Sequence, residues 1–490
     1  MAADAVESLH PWRIGPVSVK PAQKPVELLG GLKQPEGVLE SLDDAITRKR
    51  NGEPTWNLFE RRTKTHNEAI GLPVGKVLPH PLAHQAINER FARKTSGNQR
   101  MIYIHIPFCS TICSFCAFFR QAVGSYDISC YVDALVNQIN RLGAAQSCPE
   151  ENIGAVYFGG GTPSLLHQDQ IEAILNAVRS NFSLSRDCEI TLESRLNGIT
   201  SEYLQGLRRA GVNRISFGVQ TLNTEMRRTL GRIAERNHIL SVLHESEHAG
   251  FESITVDLIY NLPGQTAKTW EEDLNDLAST PVTGASVYSL IPFKHSVLGK
   301  NLAEGKEPPL GGIQNEYEFY STSDRFFTNL DGWKRFSPVH YGKVGCERNL
   351  YNTMRSAPID ILGFGAGGGG RVQGLLYMNP VNVSRFVEDQ AQQGDQHLFA
   401  VDMDPLYPKA MSCFELTDSL SMHESAIPDF LPSVSTTLSK FQEMDAARCQ
   451  DGVWELSEAG CFWGYNVSAA IAQAIRQDMN TISSQEVNYE

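Results

Sequence analysis

From about residue 100 to residue 291 the chain alternates short apolar runs with longer amphipathic ones, and this alternation narrows the fold more than any other feature. The strand-like runs are "MIYIHI" (101–106), "AVYFGG" (155–160), "EITLES" (189–194), "RISFGV" (214–219), "SITVDLIY" (253–260) and "ASVYSLI" (285–291). Between them lie helical patterns. One is "QDQIEAILNAVRSNF", with Ile171, Ile174, Leu175 and Val178 at helical spacing; others are "SEYLQGLRRAG", "RNHILSVLHESEHAG" and "TAKTWEEDLNDLAS". Several end in Gly, a frequent helix C-cap. Six strands separated by helices mean β-α-β units, right-handed crossovers and a parallel sheet, so the expected class is α/β. Periodicity leaves open whether the sheet is an open doubly wound layer or a barrel. In both, chemistry gathers at the C-terminal ends of the strands.

The flanking segments differ. Residues 1–95 carry Pro and Gly punctuation and read as an extension with one or two short helices, ahead of a core over 96–300. Residues 301–380 read as a core-completing, substrate-covering segment, with a helix near 314–330 and the glycine run "DILGFGAGGGGRV". Residues 381–490 read as a smaller, mainly helical lobe, in which a strand-turn pair before "GCFWGYNVSAAIAQAIRQ" suits a winged-helix-like unit. The start "MAADAVESLHPWRIG" lacks the apolar stretch of a signal peptide, and no run nears eighteen apolar residues. A cytoplasmic protein without a membrane span is expected. Lys and Arg number 43 against 56 Asp and Glu, a net charge of −13 with no basic block, so nucleic acid is not the expected partner.

Ten cysteines are present, and Cys130, Cys148, Cys188, Cys346, Cys413, Cys449 and Cys461 are scattered, as small buried hydrophobes usually are. Cys109, Cys113 and Cys116 are not. They stand at C-x3-C-x2-C directly after the first strand. A structural zinc site wants four ligands, and no second pair follows; a disulfide uses two. Three thiolates on one loop suit an iron–sulfur cluster with one iron free for another ligand. On the preceding strand Tyr103 and His105 share one face, and Ile102, Ile104 and Ile106 the other. "YFGGGTPS" places glycines after the second strand, where a backbone can approach a ligand unhindered by a Cβ, although a tight turn alone also explains them. Glu193, Gln220 and Asp257 close the third, fourth and fifth strands, as ligands of a bound molecule or as caps of the next helices.

The cysteine spacing, "IHIPFC" and the later motifs together resemble the radical S-adenosylmethionine enzymes. That resemblance implies a partial (β/α)6 barrel and a 4Fe-4S cluster held by Cys109, Cys113 and Cys116. Its open iron would chelate S-adenosylmethionine, whose reductive cleavage yields a 5′-deoxyadenosyl radical. It also implies that Gly160, Gly161 and Thr162 meet the cofactor's amino group, with Glu193, Gln220 and Asp257 on ribose hydroxyls and amino group and Arg232 on a carboxylate.

"IHIPFC", "GGGTP", "GVQ", "DLIYNLPGQT" and "DILGFGAG" are similar, over roughly 100–380, to the oxygen-independent coproporphyrinogen III oxidase-like group, which binds two S-adenosylmethionine molecules. Residue by residue this implies Tyr103, Gly160, Glu193 and Gly369 near the cluster-bound copy. Phe115, Gly161, Thr162, Gln220, Arg232, Asp257 and Ile291 would surround the second. "CSFCAFF", "LESR" and "GCFWGYNV" depart from the decarboxylating oxidase and look more like the heme-utilisation, or anaerobilin synthase, branch. Radical methyl transfer to heme, opening of the ring to a linear tetrapyrrole and release of iron are thereby implied, with an electron donor such as flavodoxin. Candidate heme contacts are Phe118, Phe119, Arg120 and Arg195; His340 is a candidate iron ligand, although a loop histidine is more often an ordinary hydrogen-bonded one, and Cys413 in the Met-Ser-Cys run is more often core. A coproporphyrinogen decarboxylase and a heme chaperone with the same core compete with this reading, and a tRNA-modifying enzyme is more distant.

Overall fold

The alternating strands assemble into one thirteen-stranded sheet whose centre is parallel. The computed structural model describes residues 37–93, 99–116, 121–122, 126–145, 152–392, 394 and 398–486. In chain order the sheet contains β1 (Gly75–Leu78), β2 (Arg100–Ile106), β3 (Asn152–Gly160), β4 (Ser183–Ser194), β5 (Arg214–Gln220), β6 (Ser253–Tyr260) and β7 (Gly284–Ser289). It continues with β8 (Trp333–Ser337), β9 (His340–Lys343), β10 (Ile361–Phe364), β11 (Gly369–Val372), β12 (Leu375–Met378) and β13 (Phe399–Met403). Strands β2 to β7 lie side by side in sequence order, all parallel. A further parallel strand, β10 from the glycine-rich motif, flanks β2 with Gly363 opposite Tyr103. Antiparallel strands extend both edges, giving the order β1-β13-β12-β11-β10-β2-β3-β4-β5-β6-β7-β9-β8. Among the described residues no pairing joins the two outer strands into a closed barrel.

Side-chain parity divides the parallel strands into two unlike faces. Ile102, Ile104, Ile106, Val156, Phe158, Leu192, Ile215, Phe217, Val256 and Leu258 are buried against the outer helices. Helix Gln168–Asn181 supplies Ile171, Ile174, Leu175 and Val178 to that layer, each fully buried. Each such side chain stabilises the fold by about 1.5–3 kcal/mol. Helix Ser201–Ala210 shows why these elements begin and end where they do: the Thr200 side chain accepts the N–H of Tyr203, and Gly211 closes the helix in the left-handed region (φ 102°). The opposite, inner face carries Tyr103, His105, Tyr157, Thr191, Glu193, Arg214, Ser216, Thr255 and Asp257. A sheet that packs helices on one face and lines its other face with polar groups is built to hold something there.

The chain outside the core is more ordered than its Pro- and Gly-rich texture predicts. Within the first 95 residues, β1 pairs antiparallel with β13, so the early and late segments meet at one sheet edge. A thirteen-residue helix, His80–Ala92, follows β1. Residues 61–66 pass over the C-terminal ends of β6 and β7. Arg62 donates to the Tyr260 hydroxyl (2.7 Å) and to the Phe462 carbonyl (2.9 Å), and Lys64 pairs with Glu316 (2.5 Å) and reaches the Leu290 carbonyl (3.2 Å). The C-terminal lobe combines helix Pro432–Glu443 and helix Gly464–Glu486 with a small antiparallel sheet of β14 (Ser421–His423), β15 (Ala447–Gln450) and β16 (Val453–Leu456). Asn466 on its long helix accepts the N–H of Thr63, tying the lobe to the strap. Among the described residues, no helix is long and apolar enough to cross a membrane.

Candidate functional site

The cysteine loop leaves β2 at the C-terminal rim. Cys109 and Cys113 are 3% and 2% exposed, and Cys116 is half-buried. Ser114 pins the loop: its N–H donates to the Leu230 carbonyl (3.2 Å), its hydroxyl to the Thr229 carbonyl (2.9 Å), and its own carbonyl accepts from Leu298 (2.8 Å). The Thr162 hydroxyl donates to the Cys109 sulfur at 3.5 Å and the Arg195 guanidinium to that of Cys113 at 3.2 Å. Arg232 lies within electrostatic reach of all three thiols; burial lowers its pKa and Cys113 works against that shift. Two guanidinium groups thus stand beside the three cysteines. Among the described residues no three His, Cys, Asp or Glu converge on a single ion.

The glycine run forms the next wall. Gly160 has φ 111°, and a Cβ there would lie 2.7 Å from the His105 ring; one on Gly161 would lie 2.5 Å from the Phe108 carbonyl. Only glycine lets this backbone close on the cysteine loop, where the Gly161 N–H reaches the Ile106 carbonyl at 2.7 Å. Behind it Tyr103 and His105 meet, hydroxyl to Nδ1, at 2.9 Å. The His105 Nε2 is buried without a partner, and burial lowers its pKa to about 4, so the ring is neutral. Glu193 accepts from the Tyr157 hydroxyl at 2.7 Å. Burial pushes its pKa up to about 7, against the pull of the Tyr157 and Gly160 hydrogen bonds. Asp257 is raised by burial too, opposed by Arg214.

At the end of β5 the strand bulges between Gly218 and Gln220, and Gln220 takes φ 71°, a strained conformation for a residue with a side chain. The Gly218 carbonyl so presented accepts from Arg232 (3.1 Å), whose guanidinium lies over the Phe115 ring at 5.8 Å. Phe115 packs in turn against the apolar cluster of Leu230, Ile259, Leu262, Leu290 and Leu298.

One constellation thus unites Cys109, Cys113, Cys116, Thr162, Arg195, Arg232, Phe115 and Gly218. A second, sharing the inner face, unites Tyr103, His105, Gly160 and Glu193, with Asp257 in electrostatic reach of both Glu193 and Arg232. Asp257 stands three residues inside the end of β6 rather than closing it. Ile291 follows Leu290 in the loop after β7, half-buried. Gly369 opens β11, its carbonyl against Gly363 and thus level with Tyr103 but two strands away from β2. Phe118, Phe119 and Arg120 lie outside the described residues. His340 is not free to take iron: its Nδ1 meets Ser286 (2.9 Å) and its Nε2 meets Glu347 (3.1 Å), at the far end of the strands. Cys413 is core, its pKa pushed up to about 12 by burial.

Two aromatic residues escaped the sequence reading. Tyr157 shares the face of Tyr103, and its parity in "AVYFGG" was signal enough. Tyr351 stacks on both, with ring centroids 4.6 Å from Tyr157 and 5.5 Å from Tyr103, and nothing local announces it.

The model of the radical SAM superfamily matches residues 103–277. An anaerobilin synthase of Escherichia coli O157:H7 is 28% identical over 395 residues, 80% of this chain and 88% of that protein. The heme chaperone HemW of Bacillus subtilis is 30% identical over 60% of this chain and 76% of its own. In fold, the solved coproporphyrinogen III oxidase of Escherichia coli superposes with a TM-score of 0.69 at 21% identity, covering 79% of this chain and 93% of that one. The chain belongs to the radical S-adenosylmethionine superfamily and, within it, to the oxygen-independent coproporphyrinogen III oxidase-like group.

Proposed function

We propose that this protein degrades heme without oxygen, transferring a methyl-derived carbon to the porphyrin and opening the ring to a linear tetrapyrrole with release of iron. The observation that carries this reading is the reach of the similarity to anaerobilin synthase: 395 residues, against 295 for the heme chaperone. It therefore extends beyond the radical core into flanking segments. Superfamily membership implies a 4Fe-4S cluster and S-adenosylmethionine, which when bound supply a carbon-centred radical. Cys109, Cys113 and Cys116 are the proposed cluster ligands, with Arg195 and Arg232 balancing their charge. Tyr103, Gly160, Glu193 and Gly369 are proposed for the cluster-bound S-adenosylmethionine. Phe115, Gly161, Thr162, Gln220, Arg232, Asp257 and Ile291 are proposed for a second copy that donates the carbon.

The chain's own contribution is placement and shielding. Glycine backbone at Gly160 and Gly161 admits the cofactor close to the thiols. Glu193, poised near neutrality, can accept a hydrogen bond in either protonation state. The strap over 61–66 crosses the C-terminal ends of β6 and β7 and is tied to the C-terminal lobe. The proposed setting is cytoplasmic, with flavodoxin or a comparable reductase as electron donor. We further propose residues 96–300 as the radical core, completed by 301–380 and flanked by the extension and the lobe.

The test is anaerobic turnover of heme with methyl-labelled S-adenosylmethionine by the reconstituted, reduced protein, read by mass spectrometry. A labelled linear tetrapyrrole, absent with Cys113→Ala, is expected. Heme bound but unchanged after many equivalents of cofactor would overturn the reading and favour a chaperone, which the 30% identity to HemW makes the second reading. Release of carbon dioxide from coproporphyrinogen would point instead to the decarboxylase.

A further inference from the structure

Residues 350–356 cross the inner face of the sheet and bring one unused cation with them. The Leu350 N–H donates to Glu189 (2.9 Å), Tyr351 stacks on Tyr157 and Tyr103, and the Ser356 N–H donates to Asp418 (3.1 Å). Arg371 clamps the backbone that follows, donating to the Ile359 carbonyl at 2.8 Å and the Arg355 carbonyl at 3.4 Å. The segment is therefore held at both ends. Arg355 lies one helical turn past Tyr351, half-buried, and among the described residues its guanidinium makes no hydrogen bond and no ion pair.

The surroundings of Arg355 are those of a chamber. Its charge acts on Tyr103, Tyr351, His66 and Tyr465, and on Asp418, which engages Ser356 instead of pairing with it. Tyr465 lies in turn within reach of Tyr288, as do Asp257 and Glu193. Tyr288 is 38% exposed although these groups surround it. Tyr288 stands on the inner face of β7, so the inner face is open to solvent at that point. Tyr103, Tyr157, Tyr351 and Tyr288 line this face with the carboxylates Glu193 and Asp257, and the Arg355 guanidinium lies within reach of Tyr103 and Tyr351.

We propose that Arg355 is the carboxylate anchor of the substrate chamber, pairing with an acidic side chain of the tetrapyrrole and so setting which edge of the macrocycle faces the cysteines. This rests on the tetrapyrrole reading above. Arginine suits the task because its planar fork matches a carboxylate with two parallel hydrogen bonds, and a half-buried site strengthens them. The alternative cations are less suited: Arg195 already serves Thr111 and Cys113, and Arg371 is spent on carbonyls.

The experiment titrates the reconstituted full-length protein with heme and with heme dimethyl ester, followed by visible absorption, in wild type, Arg355→Gln and Arg355→Lys. Loss of one charge-assisted pair predicts that Arg355→Gln weakens heme about tenfold or more and leaves the ester nearly unchanged. Arg355→Lys should recover part of the loss. Unaltered heme affinity, or an equal loss for both ligands, would overturn the anchor while leaving the tetrapyrrole reading in place. A wild type that binds neither porphyrin would defeat both. The ester titration also reports whether the variant's chamber is intact.

Discussion

Two buried carboxylates on the same inner face, Glu347 and Glu193, end up in opposite states. Glu347 lies at the N-terminal end of the strands, where Arg214 donates to it at 2.9 and 3.0 Å and His340 meets it at 3.1 Å. Ser253 also donates to it, and Ser286 occupies the other side of the His340 ring. Burial acts to raise its pKa, but Arg214 and His340 outweigh burial and hold it at about 2. Glu193, toward the C-terminal end, has a tyrosine and one backbone N–H for company and no cation in contact, so burial prevails and the pKa rises to about 7. Near it His105 Nε2 and Arg232 Nε are buried without partners. One end of the face is saturated with partners and closes the sheet. The other is left wanting, which a folded protein tolerates where a ligand completes the set.

The largest effect that could break this contrast is at Glu347. Glu347→Ala strands Arg214 in the interior and should cost about 3–5 kcal/mol in denaturant unfolding, without lowering iron incorporated per folded chain. A loss below 1 kcal/mol would mean that the network is not the structural half of the face.

Glu193→Gln should act through pH. The folded-state pKa of Glu193 is raised, so its contribution to stability is present below the unfolded value and is lost as pH climbs through about 7. The variant's advantage over wild type should therefore grow from about pH 4.5 to about pH 7, to at most about 3 kcal/mol in the ligand-free protein. A difference that stays flat across that range would show that Glu193 is paired after all.

Gln220→Gly should be the smallest change and the most telling. Relieving φ 71° should stabilise the ligand-free chain by about 1 kcal/mol, read as a shift in unfolding midpoint. S-adenosylmethionine binding, read by calorimetry, should weaken at the same time. Stabilisation with unchanged binding would make the strain incidental.

Much of the site could be read in the strands themselves. Tyr103 and His105 fall on one face and the isoleucines on the other because strand parity is local, and the same rule applied to "AVYFGG" would have found Tyr157. The rim could be placed because parallel strands expose their C-terminal ends together. Readings failed where a residue's meaning lay with distant partners. As an iron ligand His340 fails, because Ser286 and Glu347 take both ring nitrogens and leave it the ordinary hydrogen-bonded histidine that the sequence also allowed. The extension looked irregular because β1 is a four-residue strand whose pairing partner lies more than 300 residues away.

The sequence by itself determined the α/β class, the run of parallel strands and the three-cysteine loop, since each follows from local periodicity or spacing, repeated along the core or held within one loop. The tertiary structure alone decided what else is brought to the inner face. Tyr351 and Arg355 arrive from a segment with no local signal, and the strap and lobe that cover them are held by bonds such as Thr63 to Asn466. It decided the charge of each carboxylate as well. A carboxyl group's pKa is set by the balance between burial and nearby partners, and only the folded chain brings Arg214 to Glu347 while keeping cations away from Glu193.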